Sequence, residues 1–413
     1  MSTIKSKLKG NMKQYTMLIA LVVIVILFQF TTGGKLLKPM NVSNIVFQNA
    51  YVVILAVGML LCILSGGNID LAVGSVVALV GACAGTFIIS WGWNTYLAIG
   101  CCLVIGILIG MWQGFWIAYV RIPAFIVTLS GMLVFRGLAL LVLNGMTIAP
   151  FPDNYLSMST GFVPDVLGTV QLFGMKLNLT CFFAGILVAA VFCVMQVLSN
   201  QKRKRKGYAS DSTPTLVLKL VVVSAALICF FTILARYRGI PTVLIILGIL
   251  LICYTFFTTK TVMGRHLYAL GGNEKAARLS GVKTNRLLFL SYVNMSFLSA
   301  VAGLVFAARL NSASPQAGMS FELDAIGACY IGGASAYGGV GTVGGTLIGA
   351  LIMGVLNNGM SIMGISSNTQ QVVKGLVLLG AVAFDILSKQ QVALPIFQNK
   401  HKAKKATASN VKA

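Results

Sequence analysis

Residues 322–336 read ELDAIGACYIGGASA. Two acids open the stretch, a short apolar run follows, and small residues close it. It is shorter than the roughly 20 apolar residues that a full membrane crossing needs. It nevertheless sets the topology, because it sets the parity of the crossings. Around it lie eleven longer apolar runs, at 15–30, 44–64, 71–90, 95–120, 124–143, 179–198, 215–235, 241–259, 287–308, 343–360 and 369–388. Eleven crossings would leave the two ends of the chain on opposite sides of a membrane. Both ends are basic, and basic flanks are retained in the cytoplasm. Counting 322–336 as a short twelfth crossing brings both ends to the cytoplasmic side. The other reading of the same residues is a re-entrant piece followed by a longer helix.

Composition supports the membrane reading independently. The 413 residues are 57% hydrophobic and 9% charged, against about a quarter charged in a soluble domain. So few charges do not cover a globular surface facing water. The predicted fold is an all-α polytopic membrane protein of about 10–12 transmembrane helices, some short or broken. The net charge of +23 is not spread evenly, because 21 of the 31 basic residues fall in four segments, 1–14, 200–214, 260–286 and 389–413. Topology explains that clustering, so nucleic-acid binding is not needed. The division that follows is a basic cytoplasmic N-terminus (1–14), a transmembrane domain (15–388) and a basic cytoplasmic tail (389–413). Within the domain, 144–178 forms an external loop, 199–214 a basic cytoplasmic loop, and 260–286 a second cytoplasmic loop. The external loop carries Pro150, Pro152, Asp153, Pro164 and Asp165. It is either a cap for a soluble partner or a passive connector. Arg236 and Arg238 also fall outside, against the charge rule. The apolar run near residues 15–30 lacks a small-residue cleavage site after it and is expected to be a retained span.

Catalytic chemistry has little to work with. The nine cysteines form no CxxC pair, and the two histidines, His266 and His401, lie in basic segments. No carboxylate pair sits at helical spacing inside one span. We expect no catalytic residues, no metal site and no enzymatic activity in this chain. A GxGxxG match at Gly339, Gly341 and Gly344 lacks the preceding strand and the later acid of a dinucleotide site. No GxxxxGK[ST] loop occurs, so no nucleotide or other cofactor is expected here. Inside spans, only Arg136 and Lys374 are clearly ionisable, and both are long enough to snorkel. That weakens, without excluding, an ion-coupled sugar carrier, which relies on intramembrane charge.

Four polar or glycine-rich features remain. In 64–75, LSGGNIDLAVGS, Asn68 and Asp70 precede an apolar run. This is either a broken helix lining a pathway or a cytoplasmic turn with Asp70 at a helix N-terminus. Asn357 and Asn358 either bond sugar hydroxyls or cap a helix. Gly341, Gly345 and Gly349 recur every four residues, which predicts a close helix contact within the chain or across a dimer. The fourth feature is 269–283, ALGGNEKAARLSGVK. Asn273 suits an N-cap and Gly281 a left-handed stop. Glu274 and Arg278 are spaced to pair at i,i+4. Ala276, Ala277, Ser280 and Gly281 share one face of a helix of about two turns, too short to stand alone in water. It is either a docking helix or an ordinary solvated loop helix.

Several stretches together resemble the permease subunits of bacterial ATP-binding-cassette sugar importers, in the ribose/xylose group. They are GGNIDLAVGSVVAL, RIPAFIVTLSGMLVFRGL, ALGGNEKAARLSGVKTNR, GLVFAARLNSASP, IGGASAYGGVGTVGGTLIGALIMGVLNNGMSIMGI and QQVVKGLVLLGAVAFD, spread over 66–385. The glycine-rich wording and GFVPD at 161–165 look closest to permeases for multiple monosaccharides such as xylose, arabinose and galactose. The resemblance implies a multi-pass subunit of the bacterial inner membrane. It implies a second permease copy, an extracytoplasmic sugar-binding protein, and a separate ATPase with two P-loop domains that holds ATP and Mg. It also implies that 269–283 is the ATPase-coupling helix, built on Gly272, Asn273, Glu274, Lys275, Ala276, Ala277, Arg278 and Gly281. The family pattern E-A-A-x-x-x-G, set on Ala276, Ala277 and Gly281, puts Lys275 where its glutamate stands and Glu274 one place earlier.

Overall fold

The computed structural model describes residues 2–172, 175–208 and 212–390. The tail expected at 389–413 therefore lies almost wholly outside the described residues. Among the described residues ten helices are long and apolar enough to cross a membrane. In chain order the helices are α1 (Ser2–Thr31), α2 (Pro39–Leu64), α3 (Val73–Gly85), α4 (Thr95–Ala118), α5 (Ala124–Val142), α6 (Asp153–Thr160), α7 (Leu179–Arg205) and α8 (Thr213–Ala235). They continue with α9 (Thr242–Lys260), α10 (Val262–Gly272), α11 (Glu274–Leu279), α12 (Thr284–Leu310), α13 (Phe321–Ile331), α14 (Val343–Ile362) and α15 (Ser367–Gln390). A π-turn, Thr86–Ser90, prolongs α3.

The core is organised around α2, which is apolar on every side. From Asn49 to Leu64 it is buried without a break. In water such a helix would sit at the centre of a large protein; here α9, α12, α13 and α14 surround it. Next to it, α4 lies along α12. A Cβ added at Gly106 would stand 2.5 Å from the Ala300 Cβ, and one at Gly110 2.6 Å from the Val293 Cα. Lipid offers no hydrophobic drive for association, so close backbone approach supplies the packing. This α4 seam was not among the glycine contacts expected from the sequence. Of those that were, Gly345 and Gly349 on α14 do make a close contact inside the chain, backbone to backbone with Gly332 and Ala328 at the end of α13. Gly341 does not share their face: it precedes α14 in irregular backbone at φ 154°.

Helices α5, α7, α8 and α15 are largely exposed. Two crossings are broken. Residues 65–72 run through turns and bends from the end of α2 to the start of α3. Residues 311–320 run irregularly from the end of α12 to α13, which spans only about 16 Å, and 332–342 complete the traverse. The stretch at 322–336 is thus a half-helix plus irregular backbone. At one end of the bundle, called the inner end below, lie Leu64, Arg121, α10, α11 and Gly339. At the opposite end, Ile148 pairs with Ala313 and Phe162 with Pro241. The 144–178 loop is built there, from α6 and a hairpin of β1 (Thr169–Leu172) and β2 (Met175–Asn178). Asp165 ties the hairpin to α7: the Thr180 and Thr169 hydroxyls donate to it at 2.7 and 2.9 Å and hold its carboxyl below the usual range. Arg238, also at this end, lies over the Phe162 ring, 5.7 Å from its centroid, which gives the cation a local partner.

Candidate functional site

The inner end carries a short helix whose boundaries follow from its own residues. The Asn273 side chain accepts from the Ala276 N–H at 3.0 Å, the N-cap bond that starts α11. Gly281, at φ 83°, ends it in the left-handed region. There the Val282 N–H bonds to Ala277 O and the Gly281 N–H to Arg278 O, the paired pattern of a Schellman stop. The small face is divided by the fold. Ala277 is buried against the bundle, while Ala276, Ser280 and Gly281 face out. Leu279 is 90% exposed at the tip, with Lys275 and Arg278 exposed beside it. Glu274 does not pair with Arg278. It pairs across the chain with Arg121, at 2.8 Å, and Arg121 also bonds to Asn285. Arg121 sits at φ 67° in the short link between α4 and α5. The positive φ of an arginine was invisible in sequence, as was its partner 153 residues away.

Behind α11 three backbone segments interlock. A Cβ on Gly271 would meet Leu64 O at 1.9 Å, and one on Gly67 would meet Ala336 O at 2.1 Å. The Gly339 N–H donates to Leu64 O at 3.2 Å. The Tyr268 hydroxyl donates to Gly341 O at 2.8 Å. Glycine is required at Gly271 and Gly67 because main chain occupies the place of a side chain. The junction joins the α10–α11 segment to both broken crossings at once. At Gly272, next to it, an added Cβ would meet nothing within 4 Å, although its own main chain packs against Gly339. Beside the junction opens a polar cleft of about 400 Å³, lined by Ser65, Asn68, Arg121, Asn273, Glu274 and Tyr337 among others.

Deeper in the bundle the two half-helices meet start to start. A Cβ at Gly74, in the first turn of α3, would lie 2.1 Å from Gly318 O, just before α13. Two helix N-termini, each with partial positive charge, therefore share one depth, and acids gather there. Asp70 is buried, and its Oδ1 accepts from the Ala72 N–H at 2.8 Å at the start of α3. Its Oδ2 has no protein hydrogen-bond partner among the described residues. Asp324, fully buried in the first turn of α13, accepts from Lys374 Nζ of α15 at 3.0 Å and from the Tyr51 hydroxyl at 3.0 Å. Arg136 Nη1 donates to Pro315 O and Ala317 O at 2.8 and 2.6 Å, satisfying carbonyls of the irregular 311–320 segment. Neither Lys374 nor Arg136 snorkels outward; each serves a broken crossing.

The other expected pathway residues separate. Asn68 stays near the inner end and bonds to Ser65 at 3.4 Å. Asn357 reaches the cluster, donating to Asp324 Oδ1 at 3.4 Å. Asn358 turns away into a clamp with Asn41 and Gln48, at 2.9 Å to each. Asn68, Asp70, Asn357 and Asn358 are thus not one site. Sequence reasoning missed Asp324 and Tyr51, and noticed Lys374 and Arg136 without their partners. The available signal was a lysine and an arginine inside spans, which demand buried partners. Among the described residues no group of three or more His, Cys, Asp or Glu is placed to hold a metal ion. Gly339, Gly341 and Gly344 follow no strand.

Comparison with known proteins bears on these features together. A family described as the branched-chain amino acid transport system permease component matches residues 41–382. The xylose transport system permease protein of Escherichia coli (strain K12) is 38% identical over 92% of this chain and 93% of its own length. The corresponding protein of Haemophilus influenzae is 37% identical over 94% of this chain and 100% of its own. The ribose import permease protein of Bacillus subtilis (strain 168) is 37% identical over 91% and 94%. No solved structure matches.

Proposed function

The chain belongs to this permease-component family of multi-pass membrane proteins, and from that premise we propose that it is the translocating subunit of an ATP-binding-cassette importer for a monosaccharide of the xylose–ribose class. The inner end faces the cytoplasm, with both chain termini on that side, and α11 docks on a separate ATPase that carries two P-loop domains and holds ATP and Mg. A sugar-binding protein delivers sugar to the opposite end, against the cap formed by 144–178. A second permease copy completes the path. ATP binding on the partner moves α10 and α11 as a lever, and the permease alternates between outward- and inward-open states. The chain performs no covalent chemistry itself.

One observation carries this reading. α11 is a helix of under two turns, capped at both ends, anchored through Ala277 and Glu274, and projecting an almost fully exposed Leu279 between Lys275 and Arg278. An apolar tip flanked by charge is the anatomy of a docking element, the charge setting register. Leu279→Glu is expected to leave the permease folded and inserted while abolishing co-purification with the ATPase and sugar-stimulated ATP hydrolysis. Normal association and uptake in that variant would overturn the reading. An ion-coupled carrier predicts instead that uptake persists when ATP is depleted and the ion gradient is kept. Competition among labelled xylose, ribose, arabinose and galactose identifies the sugar.

A further inference from the structure

One cavity plays no part in the transport reading. It lies between α9 and α12, measures about 650 Å³, and is walled by Phe256, Phe257, Leu287, Leu290 and Phe297. No charged residue lines it. Its open side belongs to α9, of whose apolar span only 22% is buried; Phe256 and Cys253 there are exposed. The cavity is therefore a lateral groove facing the bilayer, not a chamber of the bundle.

Two polar features break its apolar character, and they lie apart along α9. The Tyr254 hydroxyl donates to Asn294 Oδ1. Asn294 also lines the groove, and its Nδ2, buried, has no hydrogen-bond partner among the described residues. A buried amide donor without an acceptor is costly. At the end closed by Thr261 and Met263, Lys260 and Arg265 are exposed, and Arg265 Nη1 bonds to the main-chain carbonyl of Lys260 at 3.4 Å, which holds the guanidinium at that end of α9. Lys260 lies six residues beyond Tyr254, about 9 Å along α9, comparable to the reach from an ester carbonyl through glycerol to a phosphate. The orientation proposed above puts this end at the cytoplasmic leaflet, where anionic lipids meet basic side chains.

We propose that the groove binds one acyl chain of an anionic glycerophospholipid, with Asn294 donating to an ester carbonyl and Lys260 and Arg265 meeting the headgroup phosphate. The chain fills the apolar wall, and the ester gives the orphaned amide its acceptor. Charge complementarity selects a phosphatidylglycerol-type headgroup over a zwitterionic one.

The test uses the full-length permease in nanodiscs of phosphatidylglycerol and phosphatidylcholine, one or other carrying a photoactivatable group at mid-chain. The expected result is adducts concentrated on residues 253–263 and 287–297, and more from phosphatidylglycerol than from phosphatidylcholine. Lys260→Gln and Arg265→Gln should each lower that preference about fivefold. Cys253→Trp, which fills the open side, should remove the local adducts while size-exclusion elution stays unchanged. Labelling spread evenly over α5, α7, α8 and α9 would overturn the proposal, as would equal labelling by both lipids. Efficient Cys253–Cys253 cross-linking between two copies in the same nanodiscs would also overturn it, because the groove would then be a protein interface.

Discussion

The two broken crossings, 65–90 and 311–342, place half-helices start to start, yet they satisfy their buried polar groups in opposite ways. The first is mostly local: Asp70 Oδ1 accepts from a backbone N–H two residues on, its Oδ2 has no protein hydrogen-bond partner among the described residues, and the help from another helix is a neutral hydroxyl, Tyr292, donating to Ile69 O at 3.4 Å. The second depends on other helices. Its backbone carbonyls are held by Arg136 of α5, and its acid by Lys374 of α15 and Tyr51 of α2. A local solution makes a stiff element that folds with its own neighbours. A borrowed solution makes the element's position conditional on helices at the rim, and α15 is mostly exposed there.

The comparison is broken most directly at Asp324. Asp324→Ala leaves Lys374 facing a buried site unpaired and should cost about 3–5 kcal/mol, read as a large fall in the thermal unfolding midpoint of the purified permease. The double variant Asp324→Leu with Lys374→Met should recover most of that loss, because a matched apolar pair replaces a matched ionic one. If the single variant is as stable as the parent, α13 does not depend on α15. Arg136→Met comes next. It strips the donor from two carbonyls and should destabilise by about 2 kcal/mol, with faster hydrogen exchange confined to 311–320. Asp70→Ala should cost only about 1 kcal/mol, the scale of a lost cap. We nevertheless expect reconstituted uptake to fall sharply while assembly with the ATPase persists; unchanged uptake would reduce Asp70 to a cap. The smallest stability effect belongs to Glu274→Gln. Its pair with Arg121 is about half exposed, 46% and 39%, so unfolding should shift by under 1 kcal/mol and less in high salt.

Legibility followed the same division between local and borrowed. Every long span was readable, because about 20 apolar residues mark a crossing without reference to anything else. The α11 boundaries were readable too, since Asn273 and Gly281 act on backbone within a few residues. Glu274 was misread in the same segment, because i,i+4 spacing offered Arg278 while the fold supplied Arg121 from another loop. Lys374 was noticed and its partner was not, for the two lie 50 residues apart on different helices. Gly345 and Gly349 were recognisable by spacing; the α4 seam at Gly106 and Gly110 has the same spacing but sits in an unbroken apolar run, where nothing marked it as a contact.

The glycine junction at the inner end has one more consequence. Leu64, Gly67, Gly271, Ala336 and Gly339 touch through main chain alone. Side-chain contacts absorb small displacements by changing rotamer; peptide planes have no such play. Under the coupling proposed above, a push arriving at α10 would therefore pass with little loss to both broken crossings together. On that reading the junction is a gear with little backlash, and the two half-helices would share a single input instead of acting as independent gates.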